Sequence, residues 1–552
     1  MRTLLAATLV AIACLAVTWP GVLADGALGH PTGDLADHYW GAWWVSEGLL
    51  QGRWPTETAL THQPEGGALW HIDPVGAALV TLLRPLGFPL AWNAMLTLQV
   101  LAAGLMGFAM GLAFAEGDRV AAVGAGVTMG ASAYAVSLLH SGLSEYLGLV
   151  WPALYVWALL RALDTGERWW WAALALAMCT AQAFYYGAFG LLVAACAVPG
   201  AGGLRRAWTV AKVAALWALV SAPLMAVAWR TLHGEGSAFA LSEAPGWDYR
   251  SLPATDLMSW LRPGAWYHPD TPAMGNPGIL HVNYLGWLTL GVALLGALGT
   301  PRGRSVAPTA GLYAALALGP VASWGRAPLR VGGAPLLLPL AALYLPGSPF
   351  AVVHHPYRMV AFLLPLLALL VAAGLHRLPL AIAAPLPALM LIETLFASPA
   401  PWPAPVTPLP SVAAVRSVEA DGALLDWPPD ATAGNRRYLM AQVAHGRPIA
   451  AGVNTFLSET LRRDPLVASL LRALEDPVAR ARNRDVPYAG PVVLPAEGRA
   501  TRLGALGFGH VAVHDDLLSP LELERTHRLL RRALGAPVAQ ADGVVIYAVE
   551  QR

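Results

Sequence analysis

The sequence predicts a polytopic α-helical membrane protein that carries a small C-terminal α/β domain. Of its 552 residues, 56% are hydrophobic and only 12% are charged, whereas about one-quarter of an ordinary soluble domain is charged. The apolar residues form long runs up to about residue 397. After residue 409, the pattern of apolar and polar residues is that of a soluble domain. The net charge of +1 gives no basic character for binding nucleic acid.

A spanning helix needs about 20 mainly apolar residues, and the sequence offers eleven candidate runs, of which the fifth and sixth are short. They lie near residues 4–22, 92–114, 120–138, 147–163, 170–184, 186–199, 207–230, 280–299, 306–322, 358–375 and 378–397. Two further apolar stretches, 75–90 and 332–345, are interrupted by prolines and glycines. We expect these two to be interfacial or re-entrant segments packed against protein.

Short loops rich in arginine indicate sidedness, because they stay on the cytoplasmic face. With a cytoplasmic N-terminus, one face collects Arg119, Arg161, Arg168, Arg205, Arg206, Lys212, Arg302, Arg304 and Arg377. Loops 23–91, 231–279 and 323–357 and the chain after about residue 398 are then external. Alternatively, the first run is a signal peptide cleaved after Ala24, which leaves the remaining orientation unchanged. We therefore expect a multi-pass protein of the inner (plasma) membrane.

The predicted organisation is a membrane domain over residues 1–397 with a large first external loop, a proline-rich linker over 398–409, and an extracytoplasmic α/β domain over 410–552. In the last domain, the patterns predict strands at 423–427, 508–514 and 543–549 and helices at 465–474 and 520–534. The domain carries no nucleophile elbow, phosphate loop or metal motif. We expect this domain to bind a ligand or to have a supporting role, with catalysis located elsewhere in the chain.

The first external loop contains two aspartates three positions apart, Asp34 and Asp37, followed by Trp40, Trp43 and Trp44. In a helix, the two carboxylates share a face. A functional interpretation is a general base at the membrane surface, with the aromatic rings lining a sugar or lipid site. The alternative is that Asp34 caps an ordinary interfacial helix, which the tryptophans anchor at the headgroup boundary.

A second polar cluster follows in the same loop and comprises His62, Glu65, His71 and Asp73. Such side chains are ligands for a divalent cation, which is the one cofactor that the sequence suggests. The alternative is the ordinary polarity of a solvated loop.

Three ionisable residues lie where predicted spans meet the external face. His140 and Glu145 fall in a short turn, where they either face an internal cavity or simply reach water. Arg358 follows His354-His355-Pro356-Tyr357 at the start of an apolar helix. Its planar fork and the helix N-terminus suit a phosphate, but an arginine at a helix end also snorkels to lipid headgroups.

Short motifs follow one another along nearly the whole chain. They are Gly33-Asp34 with Trp43-Trp44, Pro64-Glu65-Gly66 leading to His71, His140 ahead of Trp151-Pro152, Tyr185-Tyr186-Gly187, Tyr284-Leu285-Gly286, Pro356-Tyr357-Arg358, Leu425-Asp426-Trp427-Pro428, Tyr438 and His445-Gly446-Arg447-Pro448. In their order and spacing, they resemble the bacterial and archaeal membrane proteins related to the C-type glycosyltransferase superfamily. These multi-spanning enzymes take a sugar from a polyprenyl-phosphate donor.

The resemblance implies a catalytic acid in the first external loop, at Asp34 first and at Asp37 second, and a basic residue near the lipid phosphate, at Arg358. The other candidate substrate-binding residues are His71, His140, Glu145, Tyr357, Trp43 and Trp44. The implied partners are a polyprenyl-phosphate-linked sugar, membrane lipid and a glycan, lipid or protein acceptor. The sequence lacks the paired-acid motif of the protein-mannosylating and oligosaccharide-transferring branches, which leaves the acceptor and the metal dependence open.

Three functions follow from these features. The first is inverting transfer of a hexosyl or pentosyl group to a cell-envelope acceptor at the external face. The second is a carrier or flippase for a lipid-linked saccharide, which calls for charged groups at the bilayer midplane. The predicted spans contain almost none, with Glu393 as the exception near one end. The third is a non-catalytic scaffold whose external domain binds an envelope glycan.

Overall fold

The computed structural model describes most of the chain. The described residues are 1–71, 73–199, 202–233, 256, 258, 260–261, 280, 282–324, 327–344, 356–429, 434–452, 457–474 and 502–550. Most of the predicted external loop 231–279 lies outside these ranges, as do His354 and His355.

Helices dominate the described residues. In chain order they are α1 (Arg2–Val17), α2 (Leu35–Leu50), α3 (Pro74–Leu83), α4 (Phe88–Phe114), α5 (Arg119–Gly130), α6 (Ala133–Ser141), α7 (Ser144–Leu147), α8 (Val150–Thr165), α9 (Trp169–Gln182), α10 (Phe184–Cys196), α11 (Gly203–His233), α12 (Trp287–Gly299), α13 (Pro301–Ala317), α14 (Val360–Arg377), α15 (Leu380–Ala383), α16 (Leu386–Ala397), α17 (Ala413–Arg416), α18 (Gly434–His445), α19 (Glu459–Arg462), α20 (Pro465–Ala473) and α21 (Pro520–Leu534). A helix overlaps each of the eleven predicted spans.

Within the part of the chain that the structure describes, six helical segments are long and apolar enough to cross a membrane, judged by length and composition. They are Phe88–Phe114, Arg119–Ser141, Ser144–Thr165, Gly203–Thr231, Pro356–Arg377 and Leu380–Ala397. The structure thus confirms a polytopic helical membrane protein, while the count of about eleven spans and their orientation stay predictions. The predicted break at Tyr185-Tyr186-Gly187 is wrong by a few residues, because α9 ends at Gln182 and the extended backbone of Ala183 separates it from α10.

The strands are short except in one sheet. They are β1 (Ala27–Leu28), β2 (Glu57–Thr58), β3 (Gly67–Ala68), β4 (Ser323–Trp324), β5 (Ala327–Pro328), β6 (Arg330–Val331), β7 (Ala334–Pro335), β8 (Val406–Thr407), β9 (Ala423–Trp427), β10 (Phe508–His514), β11 (Ala539–Ala541) and β12 (Val544–Ala548). The four-stranded sheet has the order β11-β12-β10-β9, with β9 parallel to β10 and the other pairs antiparallel. The predicted strands and helices of the C-terminal region are therefore confirmed.

The stretches predicted as interfacial or re-entrant have local structure of their own. The first contains α3 and a 3-10 turn, and its last residues already belong to α4. The second begins at the turn of the β6–β7 hairpin and contains β7 and the 3-10 helix Pro339–Tyr344. Their depth relative to a membrane stays a prediction.

The chain divides into two compact units. The first unit comprises Met1–Gly33, Ile72–Leu224 and Ala244–Thr407, and the second comprises Asp34–His71, Met225–Glu243 and Pro408–Arg552. The first external loop thus contributes α2 to the same unit as the C-terminal sheet. The core of the second unit is a cluster of apolar side chains from the sheet and its helices, including Leu425, Trp427, Leu470, Val511, Leu530 and Tyr547.

Helices of the first unit approach each other closely at glycines, as is common where lipid supplies no hydrophobic drive for association. A Cβ atom on Gly296 of α12 would lie 2.0 Å from the carbonyl oxygen of Leu370 in α14. A Cβ atom on Gly374 of α14 would lie 2.1 Å from the carbonyl oxygen of Val292. The two helices are therefore in backbone contact at this crossing.

Gly296→Ala is expected to lower the free energy of unfolding by about 1–3 kcal/mol, because the backbone atoms at the crossing must separate. Gly291→Ala is the matched control in the same helix, since a Cβ atom there meets nothing within 4 Å. Chemical unfolding of the purified protein in detergent measures both. A loss at Gly291 as large as at Gly296 would mean that the close approach does not govern the result, because alanine favours a helix more than glycine does.

Candidate functional site

The two aspartates of the first loop lie at the start of α2, in the second unit. Asp34 occupies the N-cap position, but its side chain makes no capping hydrogen bond. Instead, Oδ1 of Asp34 pairs with Nη2 of Arg436 at 3.0 Å. Asp37 lies in the first turn of the helix. The prediction of a helix here is confirmed, and the interpretation of the Asp34 carboxylate as a helix cap is wrong.

Asp37 has the electrostatics of a proton acceptor. Burial raises the pKa of its carboxyl group from 3.8 to about 7, Arg436 opposes that rise, and the neighbouring charge of Asp34 adds to it. A general base works best when its pKa lies near the operating pH. Asp37 therefore meets the electrostatic requirement for taking a proton from a hydroxyl group at neutral pH.

Two imidazoles accompany the carboxylates in the second unit. The rings of His38 and His71 are nearly perpendicular, with centroids 6.4 Å apart. Gly41 makes the space, because a Cβ atom there would lie 2.1 Å from Nδ1 of His71. Residues three or four apart share a helix face, so Asp34, Asp37, His38 and Gly41 follow one side of α2. Burial and the nearby His38 hold the pKa of His71 well below its usual range, so this ring is neutral.

The tryptophans of α2 are buried, with Trp40, Trp43 and Trp44 exposing 0%, 7% and 5% of their surface. Trp40 donates its indole hydrogen to Oε1 of Gln442 in α18, at 2.6 Å, and stacks on Trp44 with centroids 5.6 Å apart. The expectation that these rings anchor at a headgroup boundary is therefore wrong. Trp40 fastens α2 to α18 within the second unit, and a contact of Trp43 or Trp44 with substrate stays a prediction.

Arg358 belongs to the first unit and lies in the 3-10 helix Pro356–Met359, which leads into α14. Its guanidinium group lies over the ring of Tyr146, 3.9 Å from the centroid, and donates to the hydroxyl groups of Tyr146 and Tyr357. The carboxylate of Glu145 is 4.0 Å away. Arg358 exposes only 7% of its surface. The snorkelling alternative is therefore wrong, and a role with phosphate stays a prediction.

Two further tyrosines complete the surroundings of Arg358, and they come from the Tyr185-Tyr186-Gly187 motif in the first turn of α10. The ring of Tyr185 lies 5.7 Å from the guanidinium carbon. Tyr186 donates its hydroxyl hydrogen to the carbonyl oxygen of Tyr146, at 2.8 Å. Aromatic faces stabilise a cation without neutralising it. The guanidinium charge is thus only loosely balanced by Glu145.

His140 and Glu145 are also buried, exposing 5% and 6% of their surface. The ring of His140 stacks on that of His30, with centroids 5.2 Å apart, and its carbonyl oxygen accepts a hydrogen bond from the His30 backbone at 2.7 Å. The alternative that these residues simply reach water is wrong. His140 faces His30, while Glu145 faces Arg358.

The second polar cluster of the loop is only partly solvated. Glu65 is exposed, whereas Asp73 is buried and accepts hydrogen bonds from the Gly76 backbone at 2.7 Å and from Gln182 at 2.8 Å. Asp73 thereby caps α3. Within the ranges that the structure describes, no group of three His, Cys, Asp or Glu side chains is placed to hold a metal ion. A divalent cation at this cluster therefore stays a prediction.

Glu393, the charged residue predicted inside a span, has a structural role in the first unit. Its Oε1 atom accepts hydrogen bonds from the hydroxyl group of Tyr284 and from the backbone of Trp287, both at 2.6 Å. It therefore caps the N-terminus of α12, next to the Tyr284-Leu285-Gly286 motif. These hydrogen bonds engage the Glu393 carboxylate within the protein, so its presence in a predicted span does not require a transported ligand as partner.

Sequence reasoning missed Arg436, Gln442 and Gln182. The first two lie near Tyr438, in a segment included in the family resemblance, but no local pattern links them to α2. Gln182 is the last residue of α9, and its structural role becomes visible in its hydrogen bond to Asp73.

Comparisons with known proteins find similarity at the level of the fold. No protein-family model and no curated protein matches the sequence. Among solved structures, the arabinofuranosyltransferase AftD from Mycobacteria matches 100% of this chain at 17% identity, with a TM-score of 0.50. This chain spans 41% of the length of that protein.

The archaeal oligosaccharyltransferase AglB from Archaeoglobus fulgidus matches 97% of this chain and 71% of its own, at 11% identity and a TM-score of 0.47. An apo form of the oligosaccharyltransferase from the same organism matches 96% of this chain and 71% of its own, at 12% identity and a TM-score of 0.45. The likeness to the arabinofuranosyltransferase shows that this chain shares the fold of that protein.

Proposed function

We propose, from the premise of a C-type glycosyltransferase fold, that this protein transfers a sugar from a polyprenyl-phosphate donor to a hydroxyl group of a cell-envelope acceptor at the external membrane face. The observation that carries the proposal is the carboxylate pair at the start of α2. Its inner member, Asp37, has a pKa raised by burial to about 7, so that it exchanges protons at physiological pH.

The proposed reaction is a single displacement that inverts the anomeric carbon. The acceptor oxygen forms a bond to that carbon while the bond from the carbon to the phosphate oxygen breaks, and the polyprenyl phosphate leaves with the electron pair. Asp37 takes the proton of the acceptor hydroxyl group. Asp34, the first choice from the sequence, is engaged by Arg436 and orients the acceptor.

On the donor side, the proposal assigns the phosphate to Arg358 of the first unit. A buried guanidinium surrounded by tyrosine rings and balanced by a carboxylate only at 4.0 Å retains electrostatic attraction for a second anion. Charge that develops on the leaving phosphate is stabilised most strongly by a preorganised cation away from water. The hydrophobic tail of the donor gives a reason for a membrane protein to carry out such chemistry.

The test is turnover by the purified full-length protein in lipid vesicles, supplied with polyprenyl-phosphate sugars and candidate acceptors. We expect release of polyprenyl phosphate together with a glycosylated acceptor. Movement of intact donor from one leaflet to the other, without bond cleavage, would instead identify a carrier. Neither cleavage nor movement with any donor tried would contradict the proposed function and leave the scaffold alternative.

A further inference from the structure

Arg436 joins α18 to the carboxylates of α2 within the second unit. Its side chain is 14% exposed and that of Asp34 is 26% exposed, and the two groups are 3.0 Å apart. The hydrogen bond from Trp40 to Gln442 fastens the same two helices farther along. The ion pair therefore joins two elements that buried contacts already hold in place, so little conformational entropy is lost in forming it.

The adjacent arginine faces elsewhere and provides a comparison. Arg437 pairs with Asp516, and these side chains are 28% and 54% exposed. An exposed ion pair contributes little to stability, commonly under about 1 kcal/mol. Two neighbouring arginines of one helix thus make one enclosed pair with Asp34 and one solvated pair with Asp516.

Two carboxylates one helical turn apart disfavour a second negative charge, so one of them takes up a proton more readily than the other. A cation in contact with one member decides which of the two keeps its charge. Among the described ion pairs, Arg436 contacts Asp34 and does not contact Asp37. Among the residues that the structure describes, the charged and titratable groups in contact with this pair or its neighbours are Arg436 from α18 and, on or against α2, Asp34, Asp37, His38 and His71.

We infer that Arg436 is a positioning residue of the proposed reaction: its ion pair holds the side chain of Asp34 in place and thereby leaves Asp37 as the group that accepts the proton. This inference rests on the proposed function for its meaning. It also gives the C-terminal part of the chain a role in the reaction, because α18 supplies the residue that assigns the roles of the two α2 carboxylates.

The direct test is an infrared titration of the full-length protein, which reports a protonated carboxyl group without turnover. Subtracting the matching Asp37→Asn spectrum isolates the Asp37 signal. Arg436→Gln is expected to move the Asp37 midpoint upward by about 1–3 pH units, because the charge of Arg436 opposes the rise of the Asp37 pKa. Arg437→Gln, the matched control, is expected to leave the midpoint unchanged.

A second variant keeps the inference falsifiable should Arg436→Gln fold poorly. Asp34→Asn removes the repelling charge and frees Arg436 to act on Asp37, so the midpoint is expected to fall. Arg436→Lys retains the charge and is expected to keep the midpoint near that of the wild type. A midpoint that ignores Arg436→Gln and Asp34→Asn, or that Arg437→Gln moves as much, overturns the inference.

The transfer assay distinguishes a failure of this inference from a failure of the proposed function on which it rests. In the transfer assay, Arg436→Gln should move the acidic limb of the pH–rate profile upward by the same amount as the infrared midpoint, with the KM for the donor unchanged. A shifted infrared midpoint in a protein that turns over no donor would contradict the proposed function alone. Normal turnover with an unmoved acidic limb would contradict the role of Arg436 alone.

Discussion

Asp37→Asn is expected to lower the rate of sugar transfer by about 10²–10⁴-fold, which is the usual contribution of a positioned general base. The amide has nearly the same size and cannot accept the proton. Its effect on folding should be small, because burial already disfavours the charged form of this carboxyl group. Initial rates of polyprenyl-phosphate release by purified protein in lipid measure the loss.

The control is Asp25→Asn, which changes an exposed carboxylate of the same predicted loop and should leave the rate unchanged. Asp34→Asn is expected to abolish transfer as well, because it removes the carboxylate that orients the acceptor. Full activity in Asp37→Asn would exclude Asp37 as the base, and full activity in Asp34→Asn would remove Asp34 from the reaction.

The pH dependence of the wild type follows from the same carboxyl group. Only the ionised form of a base accepts a proton, and burial raises the pKa of Asp37 to about 7. The value of kcat/KM is therefore expected to fall about tenfold per pH unit below that value and to level off above it. An acidic limb near pH 4, the ordinary range of an aspartate, would contradict the assignment.

Arg358→Gln is expected to lower transfer by about 10²–10³-fold, since it removes the cation assigned to the leaving phosphate. The substitution also leaves Glu145 buried without its ion pair, and both side chains are only 8% exposed. Breaking one side of a buried pair costs about 3–5 kcal/mol of stability. Transfer rates and chemical unfolding must therefore be measured together.

The double variant Arg358→Gln/Glu145→Gln separates the two effects. It removes both charges, so we expect it to recover much of the stability while transfer stays low. Arg161→Gln is a matched control in the first unit, because Arg161 also lies over an aromatic ring, 5.5 Å from the centroid of Trp157, but is exposed. Recovery of transfer in the double variant would show that Arg358 serves stability alone.

Local patterns predicted the regular structure well. Apolar runs predicted helices because burying a backbone in lipid requires its hydrogen bonds to be made within the segment. Alternation and β-branched residues predicted β10, with the bounds Phe508–His514 that the structure has. The break between α9 and α10 was displaced, because the residues on both sides are equally apolar and only the extended backbone of Ala183 marks it.

The candidate site was predicted in part. The spacing of Asp34 and Asp37 indicated a shared helix face, and the structure has that helix. The location of the tryptophans was not predicted, because the indole ring suits both a headgroup boundary and a protein core. A local sequence pattern does not show which neighbouring residues will cover the ring. For Trp40 that neighbour is Gln442.

The sequence by itself determined the class of the protein, its helical segments, the strands of its C-terminal sheet and the residue types available for chemistry. Each of these depends on composition or on periodicity over a few turns. Only the tertiary structure decided the partners of the carboxylates and of Arg358. Asp34 and Arg436 are separated by 402 positions, and Arg358 and Tyr146 by 212. Burial and charge pairing at such separations depend on how whole helices pack, which no local pattern encodes.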